Sequence, residues 1–309
     1  MGIAARGLQL IDNIEVFESE ISLPDAALTA RESSLLGFEE RYERIRSQLE
    51  LLLKLDDLEA WNKTHHKGAL LLAELVAKQH PLVVFHGDVG TGKSAMAECL
   101  ANRIIAELRV EDCKLYKLSN RVRGDGKVGM MGTLLSGAIS KVGGSAGKRR
   151  HAILIIDEGD SLAATRSSDN MHHEDKVAVN TLIQGIDQLR QYGGRVLVIL
   201  CTNRANVLDP AIRRRAAVIE EFKRPSPEER RKLFEMDLGA LSFSESQFDK
   251  LVKATGANSD QPDWTYSDIR TRLYPAAIAR AFPDRPLSFD DLHHEATQHL
   301  SPSPSVEDR

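Results

Sequence analysis

The most informative segment of this 309-residue chain is Leu82-Val-Val-Phe-His-Gly-Asp-Val-Gly-Thr-Gly-Lys-Ser94. Its second part, Gly87–Ser94, fits the pattern GxxxxGK[ST], in which backbone N–H groups and a lysine surround a polyphosphate. Glycine lets the backbone approach the anion closely, and the N-terminus of the following helix faces it. The apolar run Leu82–His86 precedes the loop, and a helix predicted over Ala95–Leu108 follows it. This context favours a phosphate-binding loop over a glycine-rich turn that merely enters a helix.

The loop residues predict the cofactors. We expect a nucleotide to be bound by Gly87, Asp88, Val89, Gly90, Thr91, Gly92, Lys93 and Ser94. Lys93 should reach the β- and γ-phosphates, and Ser94 should ligate Mg²⁺. ATP and Mg²⁺ are therefore the expected cofactors.

Polar residues end two further buried runs. His151-Ala-Ile-Leu-Ile-Ile-Asp157-Glu158 is an apolar strand followed by two carboxylates. In P-loop enzymes such a strand ends near the phosphates, so Asp157 suits the Mg²⁺ shell and Glu158 is placed to polarise the attacking water. Asn203, after the run Val196–Cys201, would orient the same water. Alone, each would indicate a turn after a strand; behind a phosphate loop they predict ATP hydrolysis.

Strands and helices alternate along the middle of the chain. The strand-like runs are Leu82–His86, Leu115–Leu118, Ala152–Ile156, Val196–Cys201 and Val218–Phe222. This alternation predicts an α/β fold with a parallel sheet flanked by helices. Capping boxes at Ser226 and Ser244 then open helices of a smaller C-terminal domain, with further helices over Tyr266–Ala281 and Asp290–Leu300.

The predicted domains follow from these patterns. An N-terminal arm and helix occupy residues 1–60, the large α/β domain 61–223, a helical lid domain 224–300 and a disordered tail 301–309. The early helices are predicted from Arg31 to about Leu58 and from near His66 to Gln79.

Composition excludes several classes of protein. The net charge is −4, which gives no overall basic signature for nucleic-acid binding. Three widely spaced cysteines fit reduced thiols better than a disulfide framework. With no secretory signal and no long apolar segment recognised, we expect a cytoplasmic protein without membrane contact.

The order of these motifs resembles the AAA+ ATPases over about residues 60–285. The resemblance implies a P-loop AAA+ fold, a homohexamer with ATP between subunits, and an arginine finger supplied by the neighbouring subunit. The matching segment, Leu208-Asp-Pro-Ala-Ile-Arg-Arg-Arg215, does not continue with the usual Gly-Arg-Phe-Asp. Arg215 is our first choice of finger and Arg214 the second, with Arg213 left open. A sensor arginine from the lid is expected at Arg270 or Arg272.

A narrower resemblance points to the HORMA-domain remodellers of the pachytene-checkpoint type, in the compact bacterial form found in anti-phage signalling operons. It is carried by Asp157–Arg166, Val179–Leu189, the finger segment and the run Arg272-Leu-Tyr-Pro275. The resemblance implies a HORMA protein and its complex with a nucleotidyltransferase as partners. The chain would pull on the HORMA protein through the hexamer pore, open it and switch signalling off.

The pulling element implied by the resemblance is a pore loop. Its expected residues are Lys127, Val128, Gly129, Met130 and Met131, and the aromatic residue usual in such loops is missing. Methionine adapts to many shapes and would still grip a polypeptide. The alternative is a flexible glycine-rich connection.

Three other functions share the ATP site. A generic protein unfoldase differs only in its client. A nucleic-acid motor or loader would use basic runs such as Arg121–Arg123, but the net charge and the lack of interleaved aromatic residues argue against it. A nucleotide-gated scaffold is disfavoured by Glu158.

The histidine pairs, including His293-His294, have no metal-like partners nearby in sequence, so we expect them to be solvated.

Overall fold

The computed structural model describes residues 16–119, 130–147, 150–157, 159, 173–203, 208–259 and 261–305. Within these ranges one six-stranded sheet has the order β1-β3-β4-β5-β2-β6. Its strands are β1 (Phe17–Leu23), β2 (Leu82–Gly87), β3 (Cys113–Leu118), β4 (His151–Ile156), β5 (Val196–Thr202) and β6 (Val218–Phe222). Strands β3, β4, β5 and β2 are parallel neighbours. The predicted α/β fold with a parallel sheet flanked by helices is confirmed.

Strand β1 corrects the sequence prediction, which places residues 1–60 in an arm and a helix. It pairs antiparallel with β3, from Phe17 opposite Leu118 to Leu23 opposite Cys113. The Asp25 carboxylate then caps the next helix by accepting a hydrogen bond from the Leu28 N–H at 2.9 Å. This part of the chain therefore extends the sheet.

The helices that accompany the strands differ from prediction mainly at their ends. They are α1 (Ala26–Glu32), α2 (Phe38–Leu53), α3 (Leu55–His66), α4 (Leu71–Ala77), α5 (Lys93–Glu107), α6 (Met130–Ser145), α7 (His173–Leu189) and α8 (Pro210–Arg215). The long helix predicted up to Leu58 is divided at Lys54, whose backbone leaves the helical region. Positive φ angles at Lys67 and Gly68 end α3.

The main core lies between the sheet and two helices. Helices α6 and α7 pack against each other, and their buried residues Leu135 and Ile186 join a cluster with Leu154 of β4 and Val198 of β5. Every residue of β5 is buried. Burial on both faces explains why these strands read as continuous apolar runs.

After β6 the described chain is helical. The elements are α9 (Pro227–Leu238), α10 (Glu245–Ala254), a π-helical turn (Asp268–Leu273), α11 (Tyr274–Ala281), α12 (Phe289–His294) and a second π-helical turn (Glu295–His299). Both predicted capping boxes are confirmed. The helix predicted over Tyr266–Ala281 begins as a π-helical turn because Pro275 has no N–H to donate and crowds the carbonyl four residues earlier.

Two compact units divide the chain. The α/β unit runs to His86 and resumes from Ser94 to Glu220, and the loop–lid unit joins residues 87–93 to the segment that starts at Glu221. The sequence assigns residues 301–309 to a disordered tail. In the structure, Ser303 donates its N–H and its hydroxyl to the Asp268 carboxylate, so residues up to 305 take part in the loop–lid unit.

None of the helices in the described ranges is both long and apolar enough to cross a bilayer.

Candidate functional site

Three neighbouring strands end at one edge of the sheet and bring the predicted site residues to it. In the α/β unit, His86 of β2 lies opposite Thr202 of β5, and Ile156 of β4 lies opposite Leu200. The residue after β5 is Asn203, and the residue after β4 is Asp157. Ligands of α/β proteins bind at the carboxyl ends of parallel strands. The edge that carries Asp157 and Asn203 is therefore the expected nucleotide edge.

The phosphate loop has the backbone that its glycines predict. At Gly87, with φ of +139°, a Cβ would lie 1.9 Å from the carbonyl oxygen of Phe222, so only glycine fits. Gly92 has φ of +93°, and among the described atoms none lies within 4 Å of the place a Cβ would take. The loop backbone therefore packs against Phe222 at Gly87, whereas there is open space beside Gly92. The space beside Gly92 is compatible with the close approach of a phosphate to the backbone N–H groups of the loop.

Hydrogen bonds inside the loop hold this shape. Lys93 is buried, and its ammonium donates to the carbonyl oxygens of Gly87 at 2.9 Å and Asp88 at 2.7 Å. The Thr91 hydroxyl donates to the same Asp88 carbonyl at 2.7 Å. Val89 is exposed, so its side chain is not needed for the loop's shape. The positive charge of Lys93 and the start of α5 favour an anion here, which fits a nucleotide.

An arginine that sequence reasoning missed holds the loop from outside. The Arg224 guanidinium donates to the Asp88 carboxylate at 2.6 Å, to the Asp263 carbonyl at 2.5 Å and to the Ser303 carbonyl at 2.9 Å. Ser305 also donates to the Asp88 carboxylate, at 3.3 Å. Arg224 therefore ties the phosphate loop to two segments of the lid. The sequence holds one signal for it, the basic pair Lys223-Arg224 directly after β6.

Of the predicted catalytic residues, Glu158 lies outside the described residues. Its two neighbours are described: Asp157 is half-buried, and the Gly159 N–H donates to the Cys201 carbonyl at 2.8 Å. This bond holds Gly159 beside Cys201, near the end of β5. Cys201 is two residues before Asn203, and Asp157 directly follows the neighbouring strand β4. The roles given to Asp157, Glu158 and Asn203 stay predictions.

A lysine lies beside this acidic edge. Lys117, near the end of β3, has its ammonium 3.3 Å from a Glu98 carboxylate oxygen. Burial lowers the pKa of Lys117, but Glu98, Glu18 and Asp157 together outweigh burial and leave this pKa raised. Lys117 therefore keeps its charge and offsets part of the negative charge at the edge.

The expected finger segment shows one arginine already engaged. Arg215 donates to Asp187 of α7 through two hydrogen bonds, of 2.6 and 2.9 Å. These bonds lower the pKa of Asp187, and His80 lies 2.9 Å from the same carboxylate. Arg213 and Arg214 are exposed. The first choice of finger is thus held by its own subunit, while Arg214 projects from the end of α8.

Both candidate sensor arginines are paired inside the lid. Arg270 makes two hydrogen bonds of 2.7 Å to Asp237 of α9. Arg272 lies 3.1 Å from Asp268. The sequence could not show Asp237 as the partner of Arg270, because the packing of the lid brings them together, whereas Arg272 and Asp268 are four residues apart in one helical segment.

The predicted pore loop is mostly outside the described residues, which resume at Met130, the first residue of α6. Met131 is buried in the core cluster with α7. This corrects the prediction for Met131, since a side chain packed in the core does not grip a client. Lys127, Val128, Gly129 and Met130 remain candidates.

The sheet and its loop define a P-loop nucleotide-binding protein, and comparison with known proteins gives its family. The model of the ATPase family associated with various cellular activities (AAA) matches residues 83–224. CD-NTase-associated protein 6 of Escherichia coli (strain KTE188) is 63% identical over 293 residues, which cover 95% of this chain and 98% of that protein.

Two solved structures agree with this result. A chain in the structure of the E. coli MS115-1 HORMA:CdnC:Trip13 complex is 36% identical, with a TM-score of 0.84 and coverage of 94% of this chain and 98% of that chain. The structure of Rhizobiales Trip13 is 32% identical, with a TM-score of 0.67 and coverage of 93% and 99%. The chain belongs to the CD-NTase-associated protein 6 family of AAA ATPases. It binds nucleotide and is an ATPase, and the family resemblance drawn from its motifs is confirmed.

Proposed function

We propose that this chain is an ATP-driven hexameric remodeller that opens a HORMA-domain protein. By opening it, the chain dissociates the HORMA protein from a nucleotide second-messenger synthase and switches off anti-phage signalling. The observation that carries this proposal is the similarity over nearly the whole chain to a component of the HORMA:CdnC:Trip13 complex. An intact phosphate loop supports it, because remodelling needs a source of work.

The proposed fuel is Mg-ATP. The loop from Gly87 to Lys93 would hold the phosphates, with Lys93 at the β- and γ-phosphates. Ser94 and Asp157 would hold the Mg²⁺, which neutralises charge on the phosphates when bound. Glu158 would take the proton of the attacking water, and Asn203 would orient that water.

The proposed finger is Arg214. A finger must reach a phosphate bound to the neighbouring subunit, and it stabilises the charge that develops during transfer. Arg215 would have to leave two hydrogen bonds to Asp187 before it could do so. Arg214 is exposed at the end of α8, next in sequence to the anchored Arg215. Arg215 then acts as the residue that positions the segment.

A client test separates this function from its rivals. ATP turnover of the full chain is measured alone, with a HORMA protein that carries a free N-terminal tail, and with DNA. The HORMA protein should raise turnover and DNA should not. Stimulation by DNA alone would make the chain a nucleic-acid motor, and stimulation by any unfolded protein would make it a generic unfoldase.

A substitution tests whether the proposed pore loop binds the client through an apolar contact. Val128→Asp should keep basal turnover and lose the stimulation, because a charge replaces an apolar contact with the client. Ile278→Asp is the matched control, since it places the same charge at an exposed apolar position of α11 in the lid. Equal loss of stimulation in both variants would remove the pore loop from the proposal.

A further inference from the structure

The last helical segment of the lid changes its winding. Helix α12 (Phe289–His294) runs directly into the π-helical turn Glu295–His299. The Leu300 N–H donates to the Glu295 carbonyl at 3.0 Å, five residues earlier, as a π-helix requires. In an α-helix, residues five apart point about 140° away from each other. The wider turn instead brings His299 back to the face that carries His294.

Three side chains of types that can ligate a metal lie together on this face. The Nε2 atoms of His294 and His299 are 2.9 Å apart, and the Glu295 carboxylate completes a group whose ligand atoms all lie within 4.8 Å of one another. Glu295 is buried, His294 is half-buried and His299 is exposed. The sequence pattern did not reveal the group, because an α-helix with the same residues would separate the two histidines.

We propose that His294, Glu295 and His299 form a binding site for a divalent cation of the zinc type. Without a metal, one imidazole must donate its only Nε2 proton to the other. With a metal, the donor moves that proton to Nδ1, and both Nε2 lone pairs bind the cation. Ligand atoms on a tetrahedral Zn²⁺ are about 3.4 Å apart, from bond lengths near 2.1 Å. The exposed His299 therefore needs to move by only a fraction of an ångström from its histidine partner.

The donor set and the surroundings define the kind of metal. Two imidazoles and one carboxylate favour Zn²⁺, Co²⁺, Ni²⁺ or Cu²⁺ over Mg²⁺ or Ca²⁺. Arg280 lies 3.4 Å from the Glu295 carboxylate and restrains its orientation. His299 also lines a surface cavity of about 850 Å³, together with Lys250 and Lys253. A fourth ligand that enters from this cavity would preferably be an anion.

Cobalt and zinc titrations of the full chain test the site. The protein is first treated with a chelator and kept free of nucleotide, so that the phosphate loop holds no metal. Co²⁺ should give the visible absorption of a four-coordinate complex, and Zn²⁺ should abolish it by displacement. Calorimetry should show a Zn²⁺ site that weakens at least about tenfold in His299→Ala and in His294→Ala, since loss even of groups that only support a ligand weakens binding by that much.

His293→Ala is the matched control, because it removes the adjacent histidine without touching the three ligands. This variant should bind Zn²⁺ like the parent chain, and the parent's melting temperature should rise with Zn²⁺ while that of His299→Gln should not. The proposal is overturned if the parent binds no Zn²⁺, or if His293→Ala weakens binding as much as His299→Ala. Unchanged melting temperatures without metal will show that the variants fold. Basal ATP turnover is a separate readout, so failure here leaves the proposed remodelling function intact.

Discussion

Two arginine–carboxylate pairs of this chain have similar geometry and different consequences. Arg215 pairs with Asp187 in the α/β unit, where the two side chains are 23% and 39% exposed. Arg224 pairs with Asp88 in the loop–lid unit, where they are 10% and 15% exposed. The first pair lies in a segment that its motif marks as functional, yet it holds the arginine to a carboxylate of its own chain. Arg224 of the second pair lies in no motif, yet it holds the phosphate loop through Asp88.

A sequence motif therefore locates a charged residue but not its partner. A partly exposed ion pair contributes about 0.2–1 kcal/mol, whereas breaking a buried pair costs about 3–5 kcal/mol because a charge is left unpaired. The Arg215–Asp187 pair belongs to the weaker class and the Arg224–Asp88 pair to the stronger one. Four experiments test this contrast.

The largest effect is expected for the finger. Arg214→Ala should lower kcat by roughly three to five orders of magnitude, the range of arginine fingers in other P-loop enzymes. ATP binding should be largely retained, because the proposed finger would act on a nucleotide bound to the neighbouring subunit. Single-turnover kinetics and calorimetry measure the two quantities. Arg213→Ala, an exposed arginine on the same helix, is the control and should be much less affected.

Arg224→Ala should come next. It leaves the Asp88 carboxylate without its arginine, so the free energy of unfolding should fall by about 3 kcal/mol. The KM for ATP should rise more than kcat falls, since the loop that binds phosphate loses its anchor. The KM of Arg224→Lys should lie between that of Arg224→Ala and that of the parent chain, because a lysine keeps the positive charge beside Asp88.

Arg231→Ala is the control for this effect. Arg231 pairs with three carboxylates of the lid, on Glu235, Glu245 and Asp249, and none belongs to the phosphate loop. It should cost stability without a change of KM. If both variants change KM alike, Arg224 acts through general stability of the lid.

The sequence predicts the parts of this molecule that local rules determine. The phosphate loop, four central strands and two capping boxes each follow from residues close together in the chain. Strand β1 was missed because its pairing with β3 is non-local and its apolar residues are separated by acidic and polar ones, as in Phe-Glu-Ser-Glu-Ile-Ser-Leu.

The site was less predictable because its charges are paired by packing. Asp187 lies on α7 and Arg215 on α8, and no spacing rule links them. Arg224 and Ser303 are likewise joined only in the folded loop–lid unit. The motifs therefore predicted which residues carry charge, while the fold determines which of them are available.

A smaller effect is expected where the C-terminal segment meets the lid. Ser303→Ala removes the hydroxyl that donates to Asp268 at 2.7 Å, which should cost about 1 kcal/mol of unfolding free energy. Urea unfolding measures it. Ser305→Ala is the control, because its 3.3 Å contact is with Asp88 and is longer. A larger loss in Ser305→Ala would mean that the segment is anchored at the phosphate loop instead.

The smallest effect should come from Asp187→Asn, and its pH dependence reports on the Arg215–Asp187 pair. The hydrogen bonds from Arg215 are the main cause of the lowered pKa of Asp187, and burial partly opposes them. A carboxyl whose pKa is lower in the folded chain stabilises the fold above its unfolded pKa of about 3.9, and this contribution disappears as the pH falls through the folded value. The parent should therefore be more stable than Asp187→Asn by less than about 1 kcal/mol at neutral pH, and the difference should vanish in acid. Burial lowers the pKa of His80, so its imidazole is neutral at pH 8, and unfolding at that pH removes the charge of His80 from the comparison. If Arg215 only positions the segment, kcat of Asp187→Asn should change far less than that of Arg214→Ala. A kcat as low as that of Arg214→Ala would show that the anchored pair itself is part of the hydrolytic machinery.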